Sequence, residues 1–206
     1  MLATLPVEVS HMDKVATLIL AAGGSVRLGR PKQLIDWGGR PLLQHVVSRG
    51  AVWPASTMTV VIGAHAEEIL DRVDFGEASI VINDDWSEGM ATSLRVGLDA
   101  VSRDNSIEHV IVGLGDQPGV DGEVVDRLVA SRHAARAVVP KYRYTWGNPV
   151  VIDRWLWPRV MAISGDAGAR TLLLTHPEWV HEVWVDGLPP ADVDTEDDIV
   201  ELRPRA

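Results

Sequence analysis

Apolar and polar positions alternate in blocks along this chain. Val15-Ala16-Thr17-Leu18-Ile19-Leu20 is an almost unbroken apolar run that ends in Ala21-Ala22-Gly23-Gly24. A run without period-2 alternation predicts a strand buried on both faces, and the glycines predict a loop at its carboxyl end. Similar runs recur at Met58–Ile62, Ser79–Ile82, His109–Val112 and Ala137–Val139. Between them the spacing turns helical. Leu42, Leu43, Val46 and Val47 form one stripe within Pro41–Val47; Leu94, Leu98 and Val101 another within Ala91–Val101; and Val124, Val125, Leu128 and Val129 a third within Glu123–Ala130. Strand and helix in alternation predict an α/β fold: a mostly parallel central sheet with helices on both faces.

After Pro140 the rhythm changes. Lys141 to Pro149, followed by Val150-Val151-Ile152, reads as a hairpin or long loop, a small lid region rather than another crossover unit. Asp153–Val160 and Ala167–Thr175 then read as helices, His181–Val185 as a strand, and Glu196–Leu202 as a last short helix. Residues 1–14 carry neither period and are expected to be a disordered leader, with 15–206 forming one domain.

Composition narrows the chemistry. The 206 residues include no cysteine, which excludes disulfides, thiolate metal sites and a cysteine nucleophile and suits a cytoplasmic protein. A net charge of -10 argues against nucleic acid or an anionic membrane as partner. No apolar run nears the roughly 20 residues that span a bilayer. The charge is uneven, however. The first fifty residues hold Lys14, Arg27, Arg30, Lys32, Arg40 and Arg49 against Glu8, Asp13 and Asp36, whereas acids crowd the stretch after His181. One end is suited to anions and the other to cations.

The strongest motif is the loop Leu20-Ala21-Ala22-Gly23-Gly24-Ser25-Val26-Arg27-Leu28-Gly29-Arg30-Pro31-Lys32. Small residues let main-chain N–H groups approach phosphate oxygens, and Arg27 and Lys32 add charge. Arg30-Pro31 stand where a Walker loop needs Lys and Ser or Thr, and the G-x-G-x-x-G spacing of a dinucleotide site is missing. A plain flexible connection is the alternative. A second candidate is Gly115-Asp116-Gln117-Pro118, where a lone carboxylate ends an apolar strand. It is either a magnesium ligand or an ordinary Asp turn.

Its candidate partner lies in Asp192-Val193-Asp194-Thr195-Glu196-Asp197-Asp198. This segment lacks the glycine and glutamate of an EF-hand. Thr195 and Asp198 have the spacing of a helix cap, which leaves Asp192 and Asp194 free for a metal. Gly89–Arg95, Gly165–Arg170 and Trp146 are further candidate ligand contacts. The histidines show no metal-binding spacing, and no Gly-x-Ser-x-Gly elbow occurs.

These motifs together resemble the nucleotidyltransferases of molybdenum cofactor assembly, in particular the cytidylyltransferase branch. The likeness rests on the loop from Leu20 to Lys32 with Gly39-x-Pro41-Leu42-Leu43, then Gly89-Met90-x-x-Ser93-Leu94, Gly115-Asp116-Gln117-Pro118, Gly147-Asn148-Pro149-Val150, Gly165-Asp166-x-Gly168-Ala169-Arg170 and Asp192-Val193-Asp194-Thr195, in that order. Glu196-Asp197 departs from the Pro-Glu pair common in the family.

The resemblance implies a Rossmann-like nucleotidyltransferase fold and transfer of CMP from CTP to a molybdopterin-type acceptor, with Mg2+ and release of pyrophosphate. It implies nucleotide contacts at Leu20, Ala21, Ala22, Gly23, Gly24, Ser25, Arg27, Lys32, Ser93 and Gly115. Arg27, Lys32 and Asp116 would be catalytic, Asp116 and Asp194 the metal ligands, and Gly147–Val150 with Gly165–Arg170 the acceptor pocket. A recipient molybdoenzyme is the implied protein partner. Two alternatives stay open: another NTP or acceptor, such as GTP, a sugar phosphate or a phosphorylated alcohol, and a non-enzymatic nucleotide-binding chaperone for a molybdoenzyme.

Overall fold

The computed structural model describes residues 14–203. The expected leader at 1–13 lies outside them, and Lys14, assigned to it from sequence, is the first residue of strand β1 (Lys14–Ala21). The apolar run of β1 serves two faces. Val15, Ile19 and Ala21 enter one core while Ala16, Leu18 and Leu20 enter the other, so period 2 is present but apolar in both phases. At roughly 1.5–3 kcal/mol for each large aliphatic side chain fully buried, such a strand prefers the middle of the sheet.

The remaining strands are β2 (Thr57–Ile62), β3 (Ser79–Ile82), β4 (Ile107–Leu114), β5 (Ala137–Tyr142), β6 (Thr145–Trp146), β7 (Val150–Asp153) and β8 (Val180–Val185). All eight form one sheet in the order β3-β2-β1-β4-β7-β5-β6, with β8 on the other edge of β5. The β1–β2, β1–β4, β2–β3 and β5–β8 pairs are parallel. The region after Pro140 does contain a hairpin, β5–β6, with Lys141 opposite Trp146. The run Val150–Ile152 does something the pattern did not predict: β7 enters the sheet antiparallel between β4 and β5.

Helices α1 (Leu42–Gly50), α2 (Ala66–Arg72) and α4 (Gly122–Ala130) cover one face through Leu43, Val46, Ile69, Val125 and Leu128. Helices α3 (Met90–Ser102), α5 (Trp157–Met161) and α6 (Ala169–Thr175) cover the other through Leu94, Leu98, Trp157, Val160 and Leu173. The α3 backbone lies very close to β1: a Cβ on Gly97 would stand 2.6 Å from Leu18 Cδ1. The helix expected over Asp153–Val160 divides into a 3-10 turn, Arg154–Leu156, and α5. The one expected from Ala167 begins at Ala169. Helix α2 has no apolar stripe and was not predicted.

A third, smaller cluster decides where the chain's end goes. Ile35, Trp37 and Leu42 pack with Val193 and with Ile199 of α7 (Glu196–Leu202), which brings the acidic segment onto the basic first quarter. Arg30 to Glu196 and Arg203 to Asp36 add ion pairs at the rim. Exposed as they are, such pairs are worth about 0–1 kcal/mol each, so the apolar cluster is the main tie. Among the described residues no helix is long and apolar enough to cross a membrane.

Candidate functional site

The carboxyl ends of β1 and β4 meet at a cleft of about 320 Å3, where open parallel sheets place their ligands. Glycine permits the meeting. A Cβ on Gly115 would stand 2.7 Å from the Ala21 Cβ, so any larger residue would part the two strand ends. Leu20, Ala21, Ala22, Gly23 and Gly24 form one wall, Gly115 and Asp116 the floor, and Ser93 of α3 the opposite side. Lys32 reaches in from the far end of the loop.

The loop is held from within. Gln33, buried beneath it, donates through Nε2 to the Ala21 carbonyl at 2.7 Å and the Gly23 carbonyl at 3.0 Å. Ser25 does not line the cleft; its Oγ accepts the Lys32 N–H at 3.0 Å and so sets the far end of the loop. Gly29 (φ 65°) closes the turn, with its N–H on the Ser25 carbonyl.

Lys32 joins the two halves of the site. Its ammonium donates to Asp116 Oδ2 at 2.5 Å and to Asp194 Oδ1 at 2.9 Å. Arg27, mostly exposed, donates to Asp194 Oδ2 at 2.7 Å instead of facing the cleft. Burial pulls the Lys32 ammonium down, but the two carboxylates outweigh it and its pKa stands above the ordinary lysine value. Burial likewise opposes ionisation of Asp194, yet the hydrogen bond and charge of Lys32, with Arg27, hold its carboxyl below the usual range.

Asp192 and Asp194, alternatives in the sequence, separate in the structure. Val193 between them is fully buried in the third cluster, and its N–H donates to the Asp116 carbonyl at 3.0 Å, which locks the two acidic segments together. Asp194 then meets Lys32. Asp192 accepts from Gln117 Nε2 at 2.7 Å; burial, with the neighbouring Asp116 and Asp194 charges, pushes it above the usual aspartate range. The expected cap is present as a capping box between Thr195 and Asp198, whose carboxylate also takes the Asp194 N–H at 3.0 Å.

The donor set suits a hard divalent cation. Asp116 Oδ1 is buried without a hydrogen-bond partner, which is the state of an acceptor awaiting one. The two carboxylates already share a cation's position, now filled by the Lys32 ammonium. Among the described residues no group of three or more acidic or histidine side chains could hold a metal alone, so any ion at these two carboxylates would need further oxygens from water or a ligand.

Beside this cleft lies a second of about 300 Å3, with Leu20, Met90, Leu114 and Asp166 common to both. Its walls are largely apolar, from Leu94, Val112, Val139 and Leu173, with Trp146, Asn148 and Arg170 at the hairpin side. Arg170 donates to the Trp146 carbonyl at 2.9 Å and to Thr145 Oγ1 at 3.1 Å, fixing the hairpin. Gly147-Asn148-Pro149-Val150 and Gly165-to-Arg170, separated in sequence by β7 and α5, therefore share one pocket. Sequence reasoning missed Gln33, the Trp86 side chain that also lines the cleft, and the bridging of both carboxylates by Lys32. Only the position of Gln33, next to Lys32, offered a signal.

Comparison with known proteins gives the family. A family model described as the MobA-like NTP transferase domain matches residues 17–180. The chain is 36% identical over 194 residues to the nicotine blue oxidoreductase of Paenarthrobacter nicotinovorans, covering 90% of this chain and 91% of that one. It is 23% identical to the molybdenum cofactor cytidylyltransferase of Escherichia coli, over 94% and 98% of the two chains. The crystal structure of Rv0371c from Mycobacterium tuberculosis in complex with manganese superposes with a TM-score of 0.78 at 28% identity, covering 92% of this chain and 98% of that one. The wider family is therefore shown. The cytidylyltransferase branch is not, because its named member is the more distant relative.

Proposed function

The chain belongs to the MobA-like NTP transferase family and is a nucleotidyltransferase; on that premise we propose that residues 15–206 act as one domain that moves CMP from CTP to the phosphate of a molybdopterin-type acceptor. The observation that carries this reading is the Lys32 ammonium bridging Asp116 and Asp194 at the floor of the cleft. The name of the Escherichia coli relative supports the cytidylyl group and the acceptor, and the manganese complex supports a divalent ion. The apolar second pocket suits the planar body of such an acceptor, and a recipient molybdoenzyme would take the product.

In this reading Asp116 and Asp194 would hold Mg2+, which would supply charge neutralisation for the triphosphate. The main chain of Ala21 to Gly24 cradles base and phosphates. Arg27 and Lys32 leave Asp194 and Asp116 for the triphosphate. The acceptor oxygen bonds to the α-phosphorus as the bond to the β-phosphate oxygen breaks, and Lys32 steadies the charge on the departing pyrophosphate. Positioning and charge supply the catalysis, so the lack of cysteine is no obstacle.

A second reading, oxidoreduction, is favoured by the 36% identity to nicotine blue oxidoreductase. Without cysteine its electrons would have to come from a bound cofactor, held where CTP is placed here. Pyrophosphate release measured with Mg2+ and each of CTP, GTP, ATP and UTP, with and without molybdopterin, tests the first reading. Release specific to CTP and dependent on molybdopterin is expected. No release with any nucleotide, together with molybdopterin-independent oxidation of NADH or NADPH by a planar acceptor, would overturn it.

A further inference from the structure

Beneath the nucleotide cleft lies a buried side chain that touches no cleft space itself. Asn83, 1% exposed, follows β3 directly. Its Oδ1 accepts the Asp85 N–H at 3.1 Å. Its Nδ2 donates to Thr92 Oγ1 at 2.8 Å and Ser93 Oγ at 2.9 Å, both in the first turn of α3. The orientation of this amide is settled by its surroundings, because the reverse would set two donors, the amide NH2 and the Asp85 N–H, against each other. Thr92 confirms it independently. Its hydroxyl faces the Asp85 and Gly89 carbonyls, at 3.0 and 2.9 Å, so its single proton goes to a carbonyl and its oxygen must accept from Asn83.

Both Nδ2 hydrogens are thereby used. Ser93 Oγ accepts one of them, and among the described residues its own proton has no protein acceptor. Ser93 also forms part of the cleft wall. We infer that Asn83 is a positioning residue that fixes the direction of the Ser93 hydroxyl, so that this side of the cleft presents a donor to a ring carbonyl or ring nitrogen of the bound nucleobase. The inference rests on the nucleotide-binding reading above and adds the residue that orients one of its base contacts. Asn83→Asp keeps an acceptor for the Asp85 N–H but loses both donors. The Ser93 proton then turns inward to the new carboxylate, and a lone pair faces the base.

The test is a double-mutant cycle with CTP and Mg2+, and with molybdopterin added for turnover, reading the Kd for CTP, kcat and Tm for the wild type, Asn83→Asp, Ser93→Ala and the double variant. Each single variant is expected to weaken CTP binding about tenfold, the size of one lost hydrogen bond. The double variant is expected to lose about tenfold as well, since both changes remove the same contact. Thr92→Val, which removes the other arm of the network, is expected to lower Tm and leave CTP binding intact. Losses that multiply to about a hundredfold, or unchanged binding in Ser93→Ala, overturn the inference; the second outcome does so even if Asn83→Asp does not fold. Failure of the wild type to bind any of the four nucleoside triphosphates overturns the nucleotidyl-transfer reading and this inference with it. Wild-type binding with multiplying losses overturns this inference alone.

Discussion

The Lys32 ammonium and the Asp116 carboxylate, 84 residues apart in sequence, lie 2.5 Å apart at the floor of the cleft, each less than one-fifth exposed. Asp194 closes the same contact from the chain's far end. The lysine stands between two carboxylates that would otherwise repel each other. Its substitution therefore has consequences before any substrate binds.

Lys32→Ala is expected to destabilise the nucleotide-free protein by about 1–3 kcal/mol, the usual cost of leaving partly buried charged acceptors without their donor. Mn2+ is expected to raise the Tm of this variant more than that of the wild type, since it would fill the emptied position. Thermal unfolding with and without Mn2+ checks both. Equal shifts in the two proteins would remove the carboxylate pair as the cation site.

Asp116→Asn keeps the shape of the floor and removes its charge. Pyrophosphate release at saturating CTP, Mg2+ and molybdopterin is expected to fall by about 10²–10³, the usual loss for one charge-stabilising group. Turnover near the wild-type value would show that Asp116 holds no metal.

Gly115→Val forces a side chain against Ala21, where even a Cβ would stand 2.7 Å away. Overpacking of this kind costs about 1–3 kcal/mol. The strand ends carry Asp116 and Ala21, so the same variant is expected to lose CTP binding. Chemical denaturation and calorimetric titration separate the two effects.

Arg170→Ala frees the hairpin from its ties to Trp146 and Thr145. If the second pocket takes the acceptor, the KM for molybdopterin rises about tenfold, the loss of one or two hydrogen bonds. The KM for CTP stays where it was. Steady-state kinetics with each substrate varied in turn decides this.

The cap of α7 sets a pH dependence. The Thr195 hydroxyl, with the Asp194 and Thr195 N–H groups, holds the Asp198 carboxyl below its ordinary value of 3.8. A depressed folded-state pKa means that this contribution is present above 3.8 and is lost as the pH falls through the lower folded-state value. Tm followed from about pH 6 to about pH 3 is expected to fall less steeply in Asp198→Asn than in the wild type. Identical slopes would discount the cap.

Much of this architecture is legible along the chain. The runs around Leu18, Val60 and Val110 are apolar on both faces, and only the middle of a helix-covered sheet accommodates that. The stripes of α1, α3 and α4 show the same helices from the outside. Helix α2 was hidden because its sequence, Ala-Glu-Glu-Ile-Leu-Asp-Arg, buries only Ile69 fully. The direction of β7 was hidden because an apolar run reads alike in both senses, and only pairing with β4 and β5 orients it.

The site divides in the same way. Local spacing determined the glycine loop, the strand-end Asp116 and the Thr195 cap, since each depends on residues a few positions apart. Only tertiary structure separates Asp192 from Asp194: burial of Val193 and its N–H bond to the Asp116 carbonyl accompany the placing of Asp194 on Lys32 and of Asp192 on Gln117. It also sent Arg27 to Asp194, set Gln33 beneath the loop and joined the Gly147 and Gly165 segments in one pocket. These relations span from about ten residues, between Gln33 and the loop, to 167, between Arg27 and Asp194. They are fixed by which apolar surfaces pack together, and no local periodicity records that.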